Sequence, residues 1–109
     1  MEMTSGKSDP TAVAHPKCPA CRGALSDIIA CICGDVFGDE YIERYCRCTS
    51  CGSISREVYR DRFSGKDYIT IEGPLDEATA MARIAIIHRC PNPADEDCRC
   101  DAHREYFGI

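Results

Sequence analysis

The stretch Cys46-Arg-Cys-Thr-Ser-Cys51 sets three thiols within six positions, and Cys98-Arg-Cys-Asp-Ala-His103 repeats the arrangement near the C-terminus with His in the last place. A short chain that twice writes C-R-C and then a further soft ligand three residues on is a metal protein, a disulfide-stapled protein or a redox protein. The choice fixes the fold. The chain has 109 residues, ten of them cysteines, and the cysteines account for much of its nominal 44% hydrophobic content. The remaining Leu, Ile, Val and Phe are too few for a self-sufficient core, and small domains in that position need a staple.

The compartment decides which staple. Residues 1–16 are polar and rich in Ser, Thr, Gly and Pro, and the N-terminus lacks the apolar run of a signal peptide. They read as a flexible tail. No apolar run approaches membrane-spanning length. The expectation is a cytoplasmic chain with reduced thiols, where clustered cysteines serve as metal ligands. Net charge is −5. A zinc ion on four thiolates adds about −2 and one on three thiolates and a neutral His about −1, because the ligands lose their protons. Such a chain is a poor partner for phosphate backbones, and nucleic acid is an unlikely ligand.

Tetrahedral structural zinc takes four cysteines, or three cysteines and a histidine, commonly from C-x2-C knuckles. Cys18-Pro-Ala-Cys21 is one knuckle and Cys48-Thr-Ser-Cys51-Gly52 a second. Together they form the ligand set of a zinc ribbon. Cys31, Cys33 and Cys46 lie between them and leave two solutions open. In one, Cys31 and Cys33 join Cys48 and Cys51, and Cys18 and Cys21 join Cys46 and a further ligand such as His15. In the other, the ribbon stays at 18, 21, 48 and 51, and Cys31, Cys33, Cys46 and a His form a second site. Cys90, Cys98, Cys100 and His103 make a compact CCCH set of their own. The expected cofactor is therefore Zn²⁺, two or three per chain, with an iron–sulfur cluster as the alternative; the spacings are not those of ferredoxins. Closed four-ligand sets leave no position for a reacting water, and no catalytic motif is present.

The intervening text is β-rich. "DIIACICG" and "EYIERYC" are short strand-like pieces, and "SISREVYRDRF" and "KDYITIEG" around "SGK" read as a hairpin. Along the first hairpin strand Arg56, Val58, Arg60 and Arg62 share one face. "GPLDEATAMARIAIIHRC" is a helix, with Pro74 expected as its first residue, Asp76 and Glu77 in its first turn, and His88 and Arg89 in its last. Only Arg83 is polar between Ala80 and Ile87, so the helix reads as apolar nearly all round, which suggests either packing on another subunit or a helix that simply covers the hairpin. The predicted organisation is a tail at 1–16, a zinc-ribbon and hairpin region at 17–73, and a helix with a C-terminal CCCH metal-binding loop at 74–109. The fold class is a small metal-stabilised α+β protein.

Residues 31–58 resemble the small zinc-binding subunit of the acetone and acetophenone carboxylase family. Cys31, Cys33 and Gly34 correspond to its C-x-C-G pair, Tyr45, Cys48, Cys51 and Gly52 to its second knuckle, and Arg56, Glu57 and Val58 to the strand that follows. Cys46 is extra and the second knuckle lacks its Pro. The likeness implies a non-catalytic accessory subunit of an ATP-dependent carboxylase (a ligase), bound to larger enzyme subunits in a hetero-oligomer. Two other functions compete: an iron–sulfur electron-transfer subunit, and a nucleic-acid-binding ribbon using Arg56, Arg60 and Arg62.

Overall fold

The computed structural model describes residues 17–23, 27–62, 65 and 67–109; the expected tail and His15 lie outside them. Four strands, β1 (Asp27–Val36), β2 (Asp39–Arg47), β3 (Ile54–Asp61) and β4 (Asp67–Glu72), form an antiparallel sheet in the order β1-β2-β3-β4. Two helices follow, α1 (Glu77–Arg89) and α2 (Asp101–Phe107). The architecture is a small α+β fold, and no helix among the described residues is long and apolar enough to cross a membrane.

The two strand-like pieces at 27–47 make one long hairpin of ten- and nine-residue strands. Its turn is the pair Phe37 and Gly38, with φ of 53° and 90°. Two successive positive φ values give the mirror-image turn whose twist suits antiparallel strands. A bulge between Ile28 and Ala30 leaves Ile29 over in the pairing with β2. Beyond it, the register places Ala30 opposite Tyr45 and Cys33 opposite Ile42, which in turn faces Tyr59. Alternation therefore sorts the side chains into two faces.

One face carries Ala30, Ile32, Tyr45 and Ile54, and both helices cover it with Ala80, Ile84, Ile87 and Tyr106. Gly34 belongs to this face because the Phe107 ring occupies its side-chain position; a Cβ there would lie 2.3 Å from the ring. The other face carries Cys33, Ile42 and Tyr59, with Cys31 packed against them, and the buried ion pair Arg44–Glu57.

Polar groups tie the helices to the sheet. The Tyr106 hydroxyl donates to Glu43, so the Tyr45 hydroxyl, 2.7 Å away, donates to Tyr106. Burial and the Glu43 charge raise the Tyr106 pKa, which keeps this phenol protonated. Arg83 lies 3.9 Å above the Tyr106 ring centre and donates to its carbonyl at 3.0 Å.

The helix begins three residues later than Pro74. Asp76 takes an extended backbone and accepts from the Thr79 amide at 3.0 Å, which makes it the cap and Glu77 the first helical residue. The all-apolar surface also resolves into one face. Ala80, Ile84 and Ile87, spaced for a single stripe, are buried against the sheet, whereas Met81 is 43% exposed. This stripe predicts a clear contrast. Ile84→Ala should cost about 2–5 kcal/mol by removing buried methyl groups, and Met81→Ser should stay within about 0.5 kcal/mol. Chemical denaturation of both variants checks it.

Candidate metal centres

The chain has two knuckles of the same construction. In the first, the Cys18 amide donates to the Gly23 carbonyl at 2.7 Å and the Arg22 amide to the Cys18 carbonyl at 2.8 Å. In the second, Cys48 donates to Ser53 and Gly52 to Cys48, both at 2.9 Å. Each loop is thus closed by the same two backbone bonds, five and four residues apart. Inside them, amides point at sulfurs: Ala20 at Cys18, Gly23 at Cys21, Ser50 and Cys51 at Cys48, all at 3.3–3.4 Å. N–H groups aimed at sulfur stabilise thiolates, the form that binds metal.

The fifth residue of each knuckle has positive φ, 80° at Gly52 and 67° at Arg22. Glycine takes that conformation freely; arginine is strained in it.

The knuckles face each other. The Cys18 and Cys51 sulfurs are 3.7 Å apart and those of Cys21 and Cys48 3.6 Å. All four lie within 4.8 Å of one another. A zinc tetrahedron with Zn–S near 2.3 Å has an edge of about 3.8 Å. These separations fit one ion and are far too long for disulfides, whose S–S distance is about 2 Å. Ser53, which sequence spacing does not mark, adds its hydroxyl 3.0 Å from Cys51 and 3.4 Å from Cys18. That hydroxyl is the chief reason the Cys18 thiol is drawn down to about 6. The Cys51 amide, foremost, draws Cys48 down as well. Cys21 goes the other way, to about 12; its Gly23 amide pulls it down, but the shared sulfurs of Cys48 and Cys51 outweigh it.

The second set is built by the loop after α1. Cys90 ends the helix, its amide bonded to Ile87, and Cys100 caps α2 by accepting from the His103 amide. Cys90 lies 3.7 Å from Cys98, 3.5 Å from Cys100 and 3.2 Å from His103 Nδ1. These four ligand atoms also lie within 4.8 Å of one another. Burial pushes the Cys90 thiol up to about 12, while the His103 amide pulls Cys100 down.

His103 is oriented from behind. Its Nε2 is 2.5 Å from the Cys33 carbonyl, which can only accept, so Nε2 carries the proton and Nδ1 offers its lone pair to the site. A carbonyl on the non-ligating nitrogen is the usual companion of a metal-binding His. Cys33 also donates its amide to Pro93 at 2.7 Å, so both of its backbone groups bind the C-terminal loop.

Eight of the eleven expected ligands fall into these two sets, and the pairing with 18, 21, 48 and 51 together is the one the chain adopts. Cys31, Cys33 and Cys46 join neither set. Cys31 and Cys33 are hydrogen-bonded to each other on the face away from the helices, and Cys46 is buried against Cys18 and Cys48 without joining their set. That hydrogen bond and burial raise Cys31, and burial raises Cys46 to about 11; both favour the neutral thiol.

The arginine in each C-R-C serves its loop. Arg47 donates to the Gly52 carbonyl at 2.8 Å and pairs with Glu77 at 3.2 Å. Arg99 donates to the carbonyls of Glu96 and Cys98 at 3.2 and 3.1 Å. Both brace the backbone next to the ligands.

Two outcomes are expected. Arg22→Gly should stabilise the metal-loaded protein by up to about 1 kcal/mol in denaturant unfolding, because it relieves the left-handed strain. His103→Cys keeps four ligands but removes the Nε2–H bond to the Cys33 carbonyl; metal content should hold, while the Cys33 amide, bonded to Pro93 of the loop that His103 anchors, should exchange about tenfold faster as that loop loosens. Compared with protein-family models, with curated proteins and with solved structures, the chain matches none.

Proposed function

We propose that this chain is a non-catalytic zinc protein, a ribbon-like scaffold that serves as an accessory subunit of a multi-subunit enzyme in the cytoplasm. The observation that carries the metal reading is the size of the two ligand sets. Each spans one tetrahedron, whereas sulfurs bound to different irons of a cluster stand further apart. Four protein ligands complete a tetrahedral zinc site, so its role is to hold the fold. Ten free cysteines agree with a reducing compartment. The enzyme class proposed, an ATP-dependent ketone carboxylase with larger catalytic subunits, rests on the likeness of residues 31–58 to the acetone carboxylase small subunit, whose C-x-C-G counterpart here, Cys31 and Cys33, lies outside both ligand sets.

The nucleic-acid reading loses its main support. Arg56 binds Glu72 and lies 3.5 Å from Glu43, and Arg60 binds Asp39 at 2.6 Å. Cations already neutralised by carboxylates have little to offer phosphates.

Metal analysis and a visible spectrum of protein purified without oxygen test the proposal. Two zinc ions per chain and no colour are expected. Cys48→Ser and Cys98→Ser should each lose about one ion and Cys31→Ser none. Iron with labile sulfide would contradict the zinc reading. The accessory role predicts that the native chain in its own cell extract elutes with an assembly several times its mass, and that mass spectrometry finds carboxylase subunits there. Elution as a free chain or dimer would overturn that part.

A further inference from the structure

Phe37 stands at the tip of the β1–β2 hairpin with 96% of its surface exposed and φ of 53°. Asn or Gly would make the same turn without strain, and neither would hold an aromatic ring in water. The fold therefore gains nothing from this side chain, which points to a contact outside the chain.

The end of the sheet that carries Phe37 is negative. Asp35, Glu40, Asp61 and Asp67 stand directly opposite one another across all four strands, so they share a face. Asp35 also accepts from the Gly38 amide at 3.0 Å and Asp67 from the Tyr59 hydroxyl at 3.2 Å, neutral donors that leave their negative charge in place. Asp39 adds a fifth carboxylate, paired with Arg60. An aromatic tip with such flanks is ill suited to anionic lipid or to phosphates and calls for an apolar socket with a cationic rim.

This chain has such a socket. An open recess of about 400 Å³ lies beside the first knuckle, lined among the described residues by Pro19, Cys18, Ile69 and Ile71, with Lys17 and Arg22 at its rim. Neither cation has a carboxylate partner among the described residues. Ile69 is 41% exposed, on β4, an edge strand of the sheet. The recess runs from the first knuckle along β4, which β3 separates from the β1–β2 hairpin, so Phe37 cannot reach it within one chain.

We propose that Phe37 of one copy seats in the Lys17–Arg22–Ile69–Ile71 recess of a second copy, its acidic flanks against the cationic rim. Two reciprocal contacts close a two-fold dimer; a single one per interface propagates a head-to-tail chain. The contact leaves α1, α2 and the C-terminal metal-binding loop open to other subunits. It stands on the knuckle geometry and is indifferent to which metal fills the sites.

Sedimentation of the zinc-loaded full chain over a concentration series tests it. The wild type should associate, and association should weaken at high salt as the charges are screened. Phe37→Asn, which suits the turn better and so keeps the fold, should weaken association about tenfold or more, as loss of an interface anchor does. Lys17→Glu with Arg22→Glu should do the same. A photo-crosslinking phenylalanine analogue at position 37 should produce a species of twice the mass, joined within residues 17–22 or 69–71. A wild type that stays monomeric to about millimolar concentration, unchanged association in Phe37→Asn, or crosslinks to another segment or to lipid vesicles would overturn the proposal.

Discussion

The hydrogen bond from His103 to the Cys33 carbonyl is the interaction on which the rest of the structure turns. It fixes the tautomer of the imidazole in the second candidate metal set, and it satisfies a backbone acceptor on the edge of the sheet. The Pro93 carbonyl takes the neighbouring amide, so the exposed edge of β1 is closed by the loop that carries the ligands. Folding of that loop, orientation of α2 and protection of the sheet edge are thus one event. The Phe107 ring over Gly34 and the Tyr45–Tyr106–Glu43 chain then lock α2 to the same hairpin.

The other end of the sheet is organised by repetition. Two knuckles with the same backbone closure meet across 3.6–3.7 Å of sulfur–sulfur contact, one leading into β3 at Ile54 and the other placing Pro19 beside Gly73. Between the two centres lies a core of Ala30, Ile32, Tyr45, Ile54, Ile84 and Ile87, modest for a chain of this length. A core of that size buries little apolar surface against the entropy of ordering the loops, which leaves room for metal at the two candidate centres to add stability. Cysteine serves two purposes here. Seven cysteines point into the candidate centres, and Cys31, Cys33 and Cys46 fill space as small buried or half-buried side chains.

Much of this was legible in the residues. C-x2-C spacing marks both knuckles because a tight loop brings its two sulfurs to one ion locally, and C-x7-C-x-C-x2-H marks the C-terminal set because all four ligands fall within 14 residues. The hairpin of β3 and β4 follows from alternation around a Ser-Gly turn. Cys31, Cys33 and Cys46 could not be placed from spacing, since which ligands meet depends on strand register, and register is a long-range property. Ser53 carries no signal at all; its role appears only when the knuckles face each other. Pro74 misleads about the helix start because a capping aspartate two residues later outcompetes it. The helix looks apolar all round because Ala and Met count as apolar, although Met81, Ala82 and Ala85 stand in solvent.

On the reading proposed above, two mononuclear, tetrahedral zinc sites, one of four cysteines and one of three cysteines and a histidine, hold this fold together. X-ray absorption at the zinc edge of the native protein tests it most directly. The account predicts an average first shell of seven sulfurs to one imidazole nitrogen over the two ions, with Zn–S near 2.3 Å and Zn–N near 2.0 Å. A metal–metal distance within a cluster, oxygen ligands in the first shell, or a shell of sulfur alone would contradict it.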